Sequence, residues 1–431
     1  MTHTWSRVKN IKNKIEGLYQ KGALHIIFSS FATKFVGMVG SVFVVKVLTK
    51  AEYGLLSYIE NIYGYVFTFA GLGLSNAMLR YLIITVPEKR KLYYRYIYRM
   101  SLSIDFVLIM IMIIGSGFMV YADDFKMANT LVPVIAFLIP CQDLLNEGLY
   151  TLRSSFKTRL YAYCSSCIAI FLVIGRIIGA RNGGTMGVIL SRIIVNGCGA
   201  VLLYLYTRHF YGEVSKGDKL DKEEKKAIRK YSFQYMITNG LWSLFMLNDV
   251  LILGMFSQNS SSVADYKVAY VLPAAISIFS SSIGLFVAPY FTKHEDDKAW
   301  IQIYFIKAYI CTAVLVGFVA LIMGCFARPL IIALYGNNYE NIVGLMRVLL
   351  IAAFFNAGLR FTTANLLSAM NKIKYNMIIS LFGMILQIVM DLVFVKRWTA
   401  YGVAFSNCIV YLFMAISLFA IFIKEYYIEK N

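Results

Sequence analysis

The stretch "SSFATKFVGMVGSVFVVKVL" (residues 29–48) decides the fold class, because it is apolar over most of its length. With the residues before it, it is long enough to cross a hydrocarbon core of about 30 Å as a helix. Lys34 lies near its middle, where a charged side chain costs roughly 2.5–3.5 kcal/mol on insertion scales. The stretch therefore predicts a membrane span whose internal lysine needs a polar environment.

Similar apolar runs recur along the 431 residues, of which 59% are hydrophobic and 15% are charged. The runs are continuously apolar and do not alternate with a period of two, which favours helices over a β-barrel. The pattern predicts an all-α polytopic membrane protein with twelve transmembrane helices. These spans are predicted at 22–47, 54–83, 101–120, 129–151, 161–180, 186–206, 232–256, 264–290, 300–324, 341–368, 375–395 and 401–423.

Lysine and arginine are unequally divided between the loops on the two sides of the predicted spans. The side that holds both termini carries 27 of them, and the other side carries 6. Because cytoplasmic loops are enriched in positive charge, both termini are predicted to be cytoplasmic. The net charge of +19 is spread over these loops rather than gathered on a soluble domain, so nucleic acid is not an expected partner.

The polar segment 207–231 divides the chain into an N-terminal part, 1–206, and a C-terminal part, 232–431, with six predicted spans each. The second span of each part begins with alanine, an acid and tyrosine and later contains a Gly-Leu pair, at 51–82 and at 264–291. Six is an even number, so the two parts share one orientation. Two six-helix lobes related by a parallel pseudo-two-fold repeat, with a central cavity, are therefore expected.

Several segments along the chain carry a family resemblance. They are "LTKAEYGLLSY" (48–58), "GLGLSNAMLRY" (71–81), "NDVLILGMFSQNSSSVADYKVAYVL" (248–272), "RPLIIALYGNNYENIVGLMRVLL" (328–350) and "TAYGVAFSN" (399–407). Together they resemble polysaccharide flippases of the Wzx type, within the multidrug/oligosaccharidyl-lipid/polysaccharide exporter superfamily. Ala404 stands where this family has a second glycine. Each segment is degenerate, so the resemblance identifies the superfamily better than the substrate.

The resemblance implies a flippase of the bacterial cytoplasmic membrane, which is not an enzyme and needs no cofactor. It would move a lipid-linked oligosaccharide on an undecaprenyl diphosphate-type carrier by alternating access, for export of surface polysaccharide. Its expected partners are this substrate and membrane lipid, with a glycan polymerase and glycosyltransferases of the same pathway left open. Coupling to Na⁺ or H⁺ is also open. The alternative is a cation-coupled multidrug exporter of the same superfamily, which a lysine at mid-depth disfavours because such exporters bind organic cations.

Basic residues within the spans are candidate contacts for an anionic substrate. Lys34 lies about twelve residues, or ~18 Å, from the cytoplasmic start of its span, too deep to reach the interface easily. Ser30, Gly37 and Ser41 share its helix face, and such a small or polar face contacts protein or water more readily than lipid. Lys34 is thus expected to meet a diphosphate or an acidic sugar, or else to pair with an acid such as Asp143. The further candidates, with the same structural alternative, are Arg176, Arg192, Lys267, Arg347 and Arg360.

Four polar residues resemble a cation site. Gln387 and Asp391 are four residues apart and share a face of the eleventh span, while Asp249 lies in the seventh span and Asn407 in the twelfth. The set resembles the sodium site of related lipid II flippases, and hard cations prefer carboxylate and amide oxygens. A cation-coupling site is therefore implied, with simple neutralisation of the intramembrane arginines as the alternative. The four histidines form no cluster and predict no metal site.

Overall fold

The computed structural model describes residues 23–119, 121, 123–211, 220–257, 259–370 and 372–428. Within these residues every regular element is a helix and no strand occurs, which confirms the all-α prediction. Seven of the described helices are long and apolar enough to cross a membrane, or nine if each of two bent helix pairs forms one span. The chain is thus a multi-pass membrane protein, and the count of twelve spans stays a prediction.

The internal contacts group the chain into two compact units. Unit 1 takes the described residues of 1–48, 62–120 and 127–240, and unit 2 takes those of 49–61, 121–126 and 241–431. The predicted lobe boundaries at 206 and 232 stay a prediction. Two short segments of the N-terminal half, 49–61 and 121–126, nevertheless group with the C-terminal half.

Unit 1 is built from the helices of the N-terminal half. They are α1 (Ala23–Val47), the end of α2 (Lys50–Phe67), α3 (Leu74–Ile84), α4 (Pro87–Phe118), α5 (Ala128–Ala136), α6 (Leu138–Ser154), α7 (Thr158–Tyr211) and the start of α8 (Lys222–Ser257). One of its core clusters joins α3 and α4 to the start of α8, where Met78, Ile97 and Ile228 are fully buried.

Unit 2 contains the start of α2 and the end of α8, followed by the remaining helices. These are α9 (Ser260–Ala275), α10 (Ser277–Lys293), α11 (Lys298–Cys325), α12 (Ala327–Tyr335), α13 (Val343–Ala353), α14 (Phe361–Ala369) and α15 (Ile373–Ile423). A π-helical segment, Phe354–Arg360, joins α13 to α14. Stacked rings of Phe305 and Phe422 lie in the core where α11 meets the end of α15.

The second predicted span, 54–83, is not one continuous helix. A 3₁₀ turn, Ala70–Gly73, separates α2 from α3, and the two helices are bent by 45°. Gly71 has a φ of +51° and Leu72 a φ of +45°, so the α-helical hydrogen-bond ladder is interrupted there. The carboxylate of Asp105 accepts the N–H of Gly71 at 3.0 Å, which satisfies a backbone donor that the break would otherwise leave unpaired. The predicted spans 129–151, 264–290 and 341–368 are also divided, at Phe137, at Ile276 and at the π-helical segment.

Two long helices each contain a sharp reversal. In α7, Gly184 has a φ of +54°, and a Cβ atom on Gly187 would lie only 2.0 Å from the carbonyl oxygen of Gly179. Residues eight apart in a straight helix would be about 12 Å apart, so the chain must fold back between them. In α15 the break lies at Thr399, which has a φ of +45°. The fifth and sixth predicted spans, and likewise the eleventh and twelfth, fall on the two arms of these hairpins.

Candidate functional site

Asp249 of α8 is the centre of a buried polar network in unit 2. Its carboxylate accepts hydrogen bonds from Tyr266 Oη, Gln387 Nε2 and Asn407 Nδ2. The bond from Asn407 measures 2.7 Å, and the same Nδ2 atom lies 3.0 Å from Tyr266 Oη. All four side chains are buried. The network thus joins α8, α9 and both arms of α15, and it contains three of the four residues predicted for a cation site.

Asp391, the fourth of these residues, lies one turn after Gln387 and is fully buried. Neither of its carboxylate oxygens, nor Oε1 of Gln387, accepts a hydrogen bond from a described residue. The charge of Asp249 acts on Asp391 electrostatically. Buried acceptors without a donor are costly. A bound cation would take such oxygens as ligands, whereas a proton would neutralise Asp391 and supply one hydrogen-bond donor. The oxygen ligands therefore fit the predicted kind of ion.

The chemistry of the cluster favours a hard monovalent ion or a proton over a transition metal. Among the described residues no three His, Cys, Asp or Glu side chains are grouped so as to hold a metal ion. Two carboxylates and two amides supply oxygen rather than soft ligands. Lys267, which follows Tyr266 in α9, adds a positive charge that interacts with both Glu60 and Asp249. A residue predicted to contact substrate is therefore placed beside the cation cluster.

Tyr266 and Glu60 were not predicted to belong to this site. Tyr266 donates directly to Asp249, and the charge of Glu60 interacts electrostatically with that of Lys267. Glu60 lies in α2, more than 200 residues before Lys267, so spacing in the sequence could not bring the two together. The sequence offered one indication that the two could be related. Both lie in the paired segments 51–82 and 264–291, each of which has an acid and a tyrosine directly after its first alanine.

Arg360 lies at the end of the π-helical segment of unit 2 and is only 4% exposed. Its Nε donates to Asn356 Oδ1 at 2.8 Å, and its guanidinium carbon lies 4.3 Å from the centre of the Trp242 ring. It forms no ion pair with a described residue. The structure thus places Arg360 beside Asn356, four residues earlier in the chain, and over the ring of Trp242, which the sequence did not indicate.

Lys34 is exposed on α1 in unit 1 and makes no ion pair with a described residue. A Cβ atom on Gly37 would meet nothing within 4 Å, so the face one turn further along is open. The hydroxyl of Ser41, on the same face, donates to the carbonyl of Met38 at 2.7 Å. The side chain of Ser30 lies outside the described part of the chain. The salt bridge to Asp143, the alternative for this lysine, is not formed.

Asp143 instead belongs to a group of three buried acids in unit 1. It accepts hydrogen bonds from Ser75 at 3.0 Å and from Ser101. Asp105 and Glu147 are both fully buried, and neither oxygen of Glu147 accepts from a described residue. Two of these acids, Asp105 and Asp143, lie beside Gly71 in the break between α2 and α3. Interrupted backbone at membrane depth has to be buried in protein or face a water-filled cavity.

The other predicted basic residues lie apart from these clusters. Arg192 in α7 has its guanidinium 5.6 Å from the ring centre of Tyr63, and Arg176 is half-buried on the other arm of the same hairpin. Arg347 in α13 is exposed, and its Nε donates to the carbonyl oxygen of Gly324 at 3.1 Å. The structure does not bring these three arginines into one site within either unit.

The sequence profile of the family described as "Polysaccharide biosynthesis protein" matches residues 19–295, more than half of the chain. A comparison with curated proteins gave no match.

Solved structures of transporters share the fold at low sequence identity. The inward closed lipid II flippase MurJ is 15% identical with a TM-score of 0.70, over 92% of this chain and 87% of that one. An inward-facing multidrug resistance MATE family transporter of the MOP superfamily is 13% identical with a TM-score of 0.68, over 90% and 93%. A MOP superfamily transporter from Pyrococcus furiosus has a TM-score of 0.64 at 13% identity, over 93% of both chains. At these identities the likeness establishes the fold alone.

Proposed function

Because the chain belongs to the polysaccharide biosynthesis protein family, we propose that it is a flippase for a lipid-linked oligosaccharide. The substrate would be carried on an undecaprenyl diphosphate-type lipid and moved across the bacterial cytoplasmic membrane by alternating access. It would serve the export of surface polysaccharide, together with the glycosyltransferases and polymerase of that pathway. The fold, shared with MOP superfamily transporters, supports a transport role.

The observation that carries this proposal is that Lys34 is exposed and has no ion-pair partner among the described residues. A charged lysine at mid-depth in an apolar span is destabilised by contact with hydrocarbon. In the structure it is exposed, unpaired among the described residues and next to the open face at Gly37. A cation left free at this depth attracts an anionic head group such as a diphosphate. It would repel the organic cations that a multidrug exporter carries.

The cluster around Asp249 supports ion coupling of this transport. The unsatisfied oxygens of Asp391 and Gln387 favour uptake of Na⁺ or H⁺, and the surrounding amides and tyrosine hold the carboxylate of Asp249 in place. Binding of the ion would neutralise buried charge, so it would change the relative free energies of two transport conformations.

Deletion of the gene in its host tests the proposed function. Surface polysaccharide should be lost and lipid-linked precursor should accumulate on the cytoplasmic side of the membrane, while susceptibility to cationic drugs stays the same. Re-expression of the wild-type chain should restore the polysaccharide and serves as the control. Intact surface polysaccharide together with broad drug sensitivity would refute the flippase and favour the multidrug exporter.

A further inference from the structure

We infer that Arg360, Asn356 and Trp242 of unit 2 form a binding site for an oxyanion of the substrate, either a phosphate or a sugar carboxylate. The inference rests on the proposed function and deepens it, because it names the chemical group that unit 2 recognises. Neither the fold nor the family description assigns a role to these three residues.

The first step of the argument is the missing partner of the guanidinium. Arg360 is 96% buried, yet no described carboxylate pairs with it. Three other basic residues of unit 2 have acid partners. Lys50 lies 2.6 Å from Asp265, Arg328 lies 2.6 Å from Glu340, and Lys372 lies 2.7 Å from Glu425. Arg360 is therefore the most buried basic residue in the described part of unit 2, and it has no acidic partner there.

The second step is energetic. A buried charge without a counter-charge destabilises the folded state, and an apolar side chain of the same volume would be more stable in its place. The Trp242 ring offsets part of this penalty, because cation–π attraction strengthens when the cation is desolvated. The ring, however, supplies no hydrogen-bond acceptor for the N–H groups of the guanidinium. An arginine held in this way is explained by a ligand that brings the acceptors.

The third step is the geometry of the donors that remain. Nε is occupied by Asn356 Oδ1, whereas no described residue accepts from either Nη atom. A guanidinium whose two Nη groups are free binds two oxygens end-on, as carboxylates and phosphates do. Trp242 on its face and Asn356 at its Nε limit how the guanidinium can turn. The site is thus preorganised for a planar or tetrahedral oxyanion rather than for a neutral sugar hydroxyl.

The local backbone supports this arrangement. The turn that carries Asn356 and Arg360 is π-helical, and such turns frequently occur at functional sites. Ser280 of α10 donates to the carbonyl oxygen of Ala357 at 2.6 Å, which satisfies an acceptor inside the widened turn. The ring of Phe354 fills the space beside Gly317 and Gly358. The guanidinium is nearly sealed here, so anion binding requires this face of unit 2 to open.

The test uses the purified full-length chain in detergent at constant ionic strength, with sodium chloride as the baseline. Pyrophosphate represents the carrier diphosphate, and glucuronate represents an acidic sugar. At least one of them should raise the midpoint of thermal unfolding of the wild type. A response to pyrophosphate alone assigns the site to the carrier, and a response to glucuronate alone assigns it to the sugar. The inference is overturned if neither anion raises the midpoint.

The decisive variant is Asn356→Asp, which places a carboxylate at the Nε of Arg360 and supplies the missing counter-charge. It should be at least as stable as the wild type in chloride and should lose the whole anion-induced rise. Arg360→Gln should also lose it, and Arg328→Gln, which changes an exposed arginine of the same unit, should keep it. An undiminished rise in Asn356→Asp would contradict the inference.

Export assays separate this inference from the proposed function. If the deletion strain lacks surface polysaccharide but Arg360→Gln restores it fully, the anion site is wrong and the flippase stands. If the deletion strain keeps its polysaccharide while the anion response and its loss in Asn356→Asp are both observed, the site stands and the flippase is wrong.

Discussion

Nδ2 of Asn407 lies 2.7 Å from Oδ2 of Asp249, although 158 residues separate the two in the sequence. Tyr266 and Gln387 donate to the same carboxylate, so Asp249 of α8 accepts from α9 and from both arms of α15. Asp391 lies beside this network but accepts no hydrogen bond from a described residue. Two acids of one cluster are therefore in opposite situations, one fully bonded and the other without donors. That difference predicts opposite effects for the same type of substitution.

Asp249→Asn should destabilise the protein. The amide that replaces the carboxylate offers only one acceptor oxygen to three donors, and its own N–H₂ group faces them. Leaving a buried donor unsatisfied costs about 1–3 kcal/mol, so we expect a clear fall in the midpoint of thermal unfolding. The measurement is thermal unfolding of the purified variant beside the wild type. An unchanged midpoint would show that the hydrogen bonds to Asp249 contribute little.

Asp391→Asn should leave stability unchanged or raise it when no ion is bound. It removes a buried charge that has no donor or basic partner among the described residues, and such a charge is unfavourable. It should abolish any rise in unfolding midpoint that Na⁺ or acidification causes in the wild type. The check is a series of unfolding curves with Na⁺ exchanged for a larger organic cation, at two pH values. A variant that responds to the ion as the wild type does would exclude Asp391 from the ion site.

The class of fold could be predicted from the sequence because long apolar runs have few structural solutions in a membrane. The site could be predicted in part for a similar reason. Gln387 and Asp391 share a helix face by local geometry. The resemblance to the sodium site of related flippases added Asp249 and Asn407 to the predicted set. The structure shows that three of these residues do meet.

What could not be predicted depends on contacts between distant helices and on breaks within helices. Glu60 acts electrostatically on Lys267 because the first part of α2 belongs to unit 2. The Trp242 ring under Arg360 likewise belongs to another helix. The break at Gly71 lies inside an apolar run that a hydropathy profile shows as uninterrupted. Hydropathy depends on the side chains, so it does not register a few residues whose backbone φ is positive.

Gly71→Ala should be strongly destabilising. Gly71 has a φ of +51°, and an added Cβ would lie 2.5 Å from Oδ2 of Asp143 and 2.7 Å from Oγ of Ser101. The backbone conformation alone costs an alanine about 1 kcal/mol or more, and the contacts require the buried acid to move. Gly115→Ala in α4 is the matched control, because its Cβ would meet nothing within 4 Å. Thermal unfolding of both variants should show a large loss for Gly71→Ala only, and equal midpoints would contradict the role assigned to the break.

Lys34→Ala should abolish surface polysaccharide without harming the fold. The side chain makes no hydrogen bond or ion pair with a described residue, so its removal should change stability by no more than about 0.5 kcal/mol. Lys34→Arg keeps the charge and should retain part of the export. Lys46→Ala, at the end of the same helix and also exposed, should export normally. The measurement is surface polysaccharide in the deletion strain, normalised to the amount of each variant in the membrane. Normal export by Lys34→Ala at wild-type abundance would remove the lysine from the transport path, because no structural defect could then mask its role.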